Sequence, residues 1–133
     1  MRVRDRLGRP LPRGRPDRVR DEAFAFLRAE RHFEAHELFE FLWSDPATAP
    51  AERPGWKGLA QVAVGYCHIQ RGNAAGAVAL LERGARTLEG CASPLAGIDL
   101  RRVAEQARTL AGEVRSQGLE GRRFPDWTIV LEP

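Results

Sequence analysis

A chain of 133 residues, 43% hydrophobic and 29% charged, is long enough to bury one core and too short for two. It has no apolar run approaching the roughly 20 residues that a membrane-spanning helix needs. The net charge of +3 is unevenly placed: residues 1–20 hold eight arginines against Asp5 and Asp17, a balance of +6, and the remaining 13 basic and 16 acidic residues leave the rest of the chain at −3. Basic charge held in an extension, with a mildly acidic body behind it, argues against a folded nucleic-acid-binding domain.

Residues 1–16 form that extension, an arginine-rich arm carrying Pro10, Pro12, Pro16, Gly8 and Gly14. Its composition reads as a flexible leader, and any contact with nucleic acid would be made here, to phosphates and in a salt-dependent way. The arm lacks the apolar stretch of a secretory signal, so the chain reads as cytoplasmic. Cys67 and Cys91 agree with that reading, since no CxxC or Cys/His spacing suggests zinc and reduced packing thiols are the default.

From Asp17 the periodicity is helical, with Val19, Ala23, Phe26 and Leu27 on one face. Helix two is predicted from about Phe33 to Ser44, with Ala35, Leu38, Phe39 and Leu42 as its core stripe, and it ends before Pro46. A loop follows to Arg53. Helix three, Pro54 to Arg71, is apolar on nearly all sides, as expected of the helix at the middle of its domain.

Arg71-Gly72-Asn73 supplies a terminating glycine and an N-cap asparagine, the chemistry of a tight turn between antiparallel helices. Helix four follows, with Ala77, Val78, Leu81, Gly84, Ala85 and Leu88 on one face; Gly65, Ala77 and Gly84 should let helices three and four approach closely. The pair resembles one tetratricopeptide hairpin without the repeats of a solenoid. Asp99 is placed to cap helix five, whose stripe runs through Leu100, Val103, Ala104, Ala107, Leu110, Ala111 and Val114. Trp127, Ile129 and Leu131 then alternate as in an extended strap. The fold class is therefore all-α: a single five-helix bundle over residues 17–118, with a basic N-terminal arm and an extended C-terminal tail over 119–133. An apolar face on helix one or five offers a surface for a homo-oligomer.

At about 100 degrees per residue, His32, His36, Glu40 and Trp43 share one stripe of helix two, with Glu37 flanking the same turn as His36. Gln61 and His68 form a polar line on helix three, with Gly65 between them. If helix two crosses helix three at Gly65, the two polar sets meet, beside Trp43 and Tyr66. Three readings compete for such a cluster. One is a structural network, in which His36, Gln61, His68 and a carboxylate satisfy one another. A second is a metal site at His36, Glu40 and His68; H-E-x-x-E departs from H-E-x-x-H at Glu40, so neither a metal nor any other cofactor is the favoured expectation. The third is a pocket for a small ligand or for acid–base chemistry, with His36 or Glu37 moving the proton.

FEAHELFEFLW (Phe33 to Trp43) followed by GLAQVAVGYCHIQRGNAAGAVALLERG (Gly58 to Gly84) resembles the small helical bacterial and archaeal family known as domain-of-unknown-function family 309. The resemblance covers roughly residues 17–115 and implies a compact all-helical domain with no established activity. It also implies that His36, Glu37, Glu40, Trp43, Gln61, His68, Gly72 and Asn73 are the recurrent positions. Glu30 stands where that family often has glycine and His32 where an aromatic is usual, which makes His32 a poor candidate for an essential ligand. The expected function is a helical module that binds a small ligand or protein partner at the His/Glu/Trp cluster. The alternatives are an acid–base or metal-dependent hydrolase-like enzyme using His36, Glu37 and His68, and an RNA-associated protein acting through residues 1–16.

Overall fold

Helix α1 (Pro16–Arg28) starts at a proline, whose missing N–H costs nothing in a first turn. The computed structural model describes residues 16–125 and residue 130. Most of the predicted arm, and Trp127, Ile129 and Leu131 of the predicted strap, lie outside the described residues. Within them four more helices follow: α2 (His32–Ser44), α3 (Arg53–Gln70), α4 (Ala74–Glu89) and α5 (Leu100–Gln117). A short 3-10 turn, Pro50–Glu52, leads into α3. The all-α architecture read from the periodicity is the architecture observed.

The helices pack in chain order, α1 on α2, α2 on α3, α3 on α4 and α4 on α5. The expected stripes are the buried ones: Val19, Ala23 and Leu27 of α1, Leu38, Phe39 and Leu42 of α2, and Leu100 through Val114 of α5 all lie in one core. The apolar faces of α1 and α5 are thus used inside the molecule. Phe24, outside the predicted stripe of α1, is also buried and meets Phe39 edge-on, ring centres 6.4 Å apart.

Small residues set the spacing of α3 and α4, as expected. A Cβ on Gly58 would fall 2.6 Å from Leu88, one on Gly65 would fall 2.8 Å from Leu81, and one on Gly84 would fall 2.7 Å from Val62. The turn between the helices has the expected chemistry: Gly72 is left-handed at φ 77°, and the Asn73 side chain accepts from the Gly76 N–H at 2.9 Å. Asp99 caps α5 in the same way, accepting from the Arg102 N–H at 3.1 Å.

The corner between α1 and α2 closes differently. The Glu30 N–H donates to Leu27 O at 3.0 Å and the Arg31 N–H to Phe26 O at 2.8 Å, while the Arg31 guanidinium lies over the Phe26 ring, 5.5 Å from its centre. This is a helix C-terminal motif that requires a left-handed residue, and Glu30 fills that position at φ 57°. The Glu30 carbonyl also accepts from Gln70 Nε2 at 2.7 Å, tying the corner to α3. A side chain in the left-handed region costs roughly 1–2 kcal/mol, of which glycine's greater unfolded-state freedom cancels about half. Glu30→Gly is therefore expected to raise stability by about 0.5–1 kcal/mol, read as a higher urea midpoint at unchanged slope. A lower midpoint would show that the corner is not strained.

Candidate functional site

The polar stripe of α2 starts in the core and ends at the surface. His32, at its head, is fully buried between the rings of Tyr66 and Phe124, with centres 5.2 and 4.4 Å away. One turn later His36 is half-buried. Its Nδ1 donates to the Phe33 carbonyl at 3.0 Å, and its Nε2 faces Glu40 Oε1 at 3.3 Å. With Nδ1 committed as a donor, Nε2 presents a hydrogen to Glu40 only in the imidazolium form, so this ion pair and the charged ring belong together. Glu37 is half-buried and Glu40 exposed. Trp43, at the end of the stripe, is the exposed large apolar side chain among the described residues, at 36%. The Lys57 ammonium of α3 sits 5.2 Å from its ring centre, within cation–π range.

The polar line of α3 serves another interface. Gly65 faces Leu81 of α4, so the close approach at that glycine is made by α4 and not by α2. Gln61 and His68 lie on the same side and follow it: Thr87 Oγ1 of α4 donates to Gln61 Oε1 at 2.8 Å, and His68 Nδ1 lies 3.3 Å from Asn73 Nδ2 at the α3–α4 turn. Because the Asn73 oxygen is taken by the Gly76 N–H, its amino group must face the ring. In this contact His68 Nδ1 is therefore the acceptor. The condition for the two polar sets to meet, α2 crossing α3 at Gly65, is not met. Hydrogen bonds send His36 to its own helix and Glu40, and send Gln61 and His68 to α4 and its turn.

Tyr66, expected as a pocket wall, is instead packed in the core, where burial holds its phenol above the ordinary value. It meets His32 on one side and Phe124 on the other, the latter with ring centres 5.5 Å apart. Burial likewise raises the Cys67 and Cys91 thiols, and both cysteines are free. Among the described residues no group of three or more His, Cys, Asp or Glu is gathered closely enough to hold a metal ion.

Cavities lined by described residues include about 410 Å³ beside α5 at Gln106 and Arg123, about 440 Å³ between α4 and α5 at Val78 and Val114, and about 170 Å³ beneath Cys91 and Leu95. Sequence reasoning missed three residues here. Thr87, one turn beyond Gly84 on the face turned to α3, was accessible to a wheel argument; Lys57 and Phe124 reach their partners across elements and carry no local signal.

Residues 21–80 match the model of the family described as Domain of unknown function (DUF309). They are a DUF309-family segment. The DUF309 stretch runs from α1 into α4, shorter than the 17–115 span suggested by the resemblance, and it contains every candidate side chain of α2 and α3. No curated protein matches the chain. Both departures from the family pattern have a structural account in this DUF309 segment. Glu30 occupies a left-handed position suited to glycine, and His32 stands in a stack of aromatic rings as an aromatic side chain would.

Proposed function

We propose that this DUF309 domain is a non-catalytic helical module that recognises a protein partner through the exposed edge of α2. The observation that carries the reading is Trp43, held on the surface with Lys57 against its ring. A tryptophan costs little rotamer entropy to immobilise and supplies a large apolar area, which is why this residue recurs at the energetic centres of interfaces. Glu40, one turn before it, and His36, two turns before it, add a polar rim. An exposed aromatic anchor suits a protein segment better than a small molecule, which needs to be enclosed. An acid–base enzyme would need His36, Glu37 and His68 on one substrate, whereas the hydrogen bonds of His36 and His68 lead to separate partners.

The test is photo-crosslinking in cells of the source organism from a probe at Ser44, beside the tryptophan. A partner captured by the unaltered surface should be lost about tenfold or more when Trp43→Ala is added, and retained when Arg108→Ala is added on α5, with helicity unchanged in both. Equal capture with and without Trp43 would remove the proposal.

A further inference from the structure

His32 is an ionisable group sealed in the core. It is fully buried, no hydrogen bond of ordinary geometry reaches either ring nitrogen among the described residues, and the Gln70 side chain is the polar group that acts on the ring. Three elements enclose it: its own helix α2, α3 through Tyr66, and the C-terminal strap through Phe124. The groups facing it are few. From the α1–α2 corner comes Glu30, and from α3 come Gln70 and the Tyr66 phenol. Arg31 beside it is engaged with Glu34, and Arg123 precedes Phe124 in the strap. The amino group of Gln70 is already spent on the Glu30 carbonyl, which leaves its oxygen as the acceptor it can offer.

We propose that His32 is an acid-operated latch for the C-terminal strap: protonation of the imidazole displaces Phe124 and releases residues 119–125 from the helices they cover while the helices stay assembled. An imidazolium brings a charge and a second N–H donor into a site walled by two aromatic rings, so it must gain water, and one of the enclosing elements has to yield. Tyr66 is anchored on α3, which is packed between α2 and α4. Phe124 lies on a segment without helical hydrogen bonds, tied back at one end by the α5 cap at Gly118 and at the other by the Asp99 N–H, which donates to the Val130 carbonyl at 2.7 Å. The strap is the element that gives way.

Burial holds the imidazole below its ordinary value, with the Gln70 side chain and the Glu30 carboxylate opposing that shift. The sign follows. The released state binds the proton more readily than the closed one, so closure is favoured above the ordinary histidine value of about 6.5 and weakens as pH falls below it.

Amide hydrogen exchange on the full chain, corrected for intrinsic rates, reads the latch directly. Between about pH 7.5 and 5.5 the protection of the Arg122 amide, which donates to the Leu119 carbonyl, should fall by up to about tenfold, while α3 and α5 keep theirs and His32→Phe abolishes the pH response. Strap protection that ignores pH, strap and helices lost together, or an unaltered response in His32→Phe would each overturn the latch. A second readout covers a His32→Phe chain that fails to fold: by NMR, the His32 ring should titrate at lower pH in the unaltered protein than in Phe124→Ala. Coincident titrations would also overturn it.

Discussion

Trp56→Ala should lower the unfolding free energy by about 3–5 kcal/mol, the range for removing a large aromatic from a packed interior. Trp56 is fully buried and heads the largest side chains of the core. It stacks on Phe39, centres 6.2 Å apart and planes inclined by 19°, and Phe39 in turn receives the edge of Phe24. These rings join α3, α2 and α1, so deleting the first leaves a void that three helices would have to shift together to fill. Trp56→Phe is the informative comparison. It keeps an aromatic face for Phe39 and removes an indole N–H that has no acceptor among the described residues. Its cost should be about 1–2 kcal/mol, because a smaller void is partly offset by the loss of an unsatisfied donor. Urea unfolding of both variants decides the point; a Trp56→Ala cost near zero would mean that the ring stack does not hold α1 through α3 together.

Gly84→Ala and Gly112→Ala make the same chemical change with opposite expected signs. A Cβ on Gly84 would meet Val62 Cγ2 at 2.7 Å, the Val62 nitrogen at 3.0 Å and the Gly58 oxygen at 3.1 Å. Two of those three atoms are backbone, so α3 itself must move, and overpacking of this kind costs about 1–3 kcal/mol. The gain in helix propensity, about 1 kcal/mol, offsets part of this, and a net loss of up to about 2 kcal/mol is expected. On α5, Gly112 has no atom within 4 Å of its would-be Cβ. There the propensity term acts alone, and a gain of about 0.5–1 kcal/mol should appear. Thermal melts of the two variants should move in opposite directions; a Gly84→Ala chain as stable as the parent would show that α3 and α4 have slack.

Most helix faces were legible in the sequence, Phe24 being an exception, but the neighbour that each face meets was not. The stripes of α1, α2 and α5 and the caps at Asn73 and Asp99 follow from spacing and turn chemistry alone, because those signals lie within a few residues of one another. Gly65 shows where this stops. Its place beside Gln61 and His68 follows from the helical period, yet nothing local tells whether α2 or α4 will lie against it; Leu81 answers only in three dimensions. His32 fails for a related reason. Its register with His36 and Trp43 is sound, but a helix crossing its neighbour at an angle carries one stripe from interior to surface, and the same line of residues begins at a buried imidazole and ends at an exposed indole. The Leu95–Ile98 turn was hidden because Ala96 adopts φ 47° without glycine, its carbonyl receiving the Arg20 guanidinium of α1.

The chain-order packing of the helices has a bearing on how the protein is made. Each rod finds its main contacts in the segments just before and after it, so a nascent chain need not wait for its far end before structure begins. The α3–α4 hairpin can close as soon as residue 89 has left the ribosome, with α5 docking onto a surface already formed. The contacts of the strap at Phe124 and Val130 are made after all five helices have emerged.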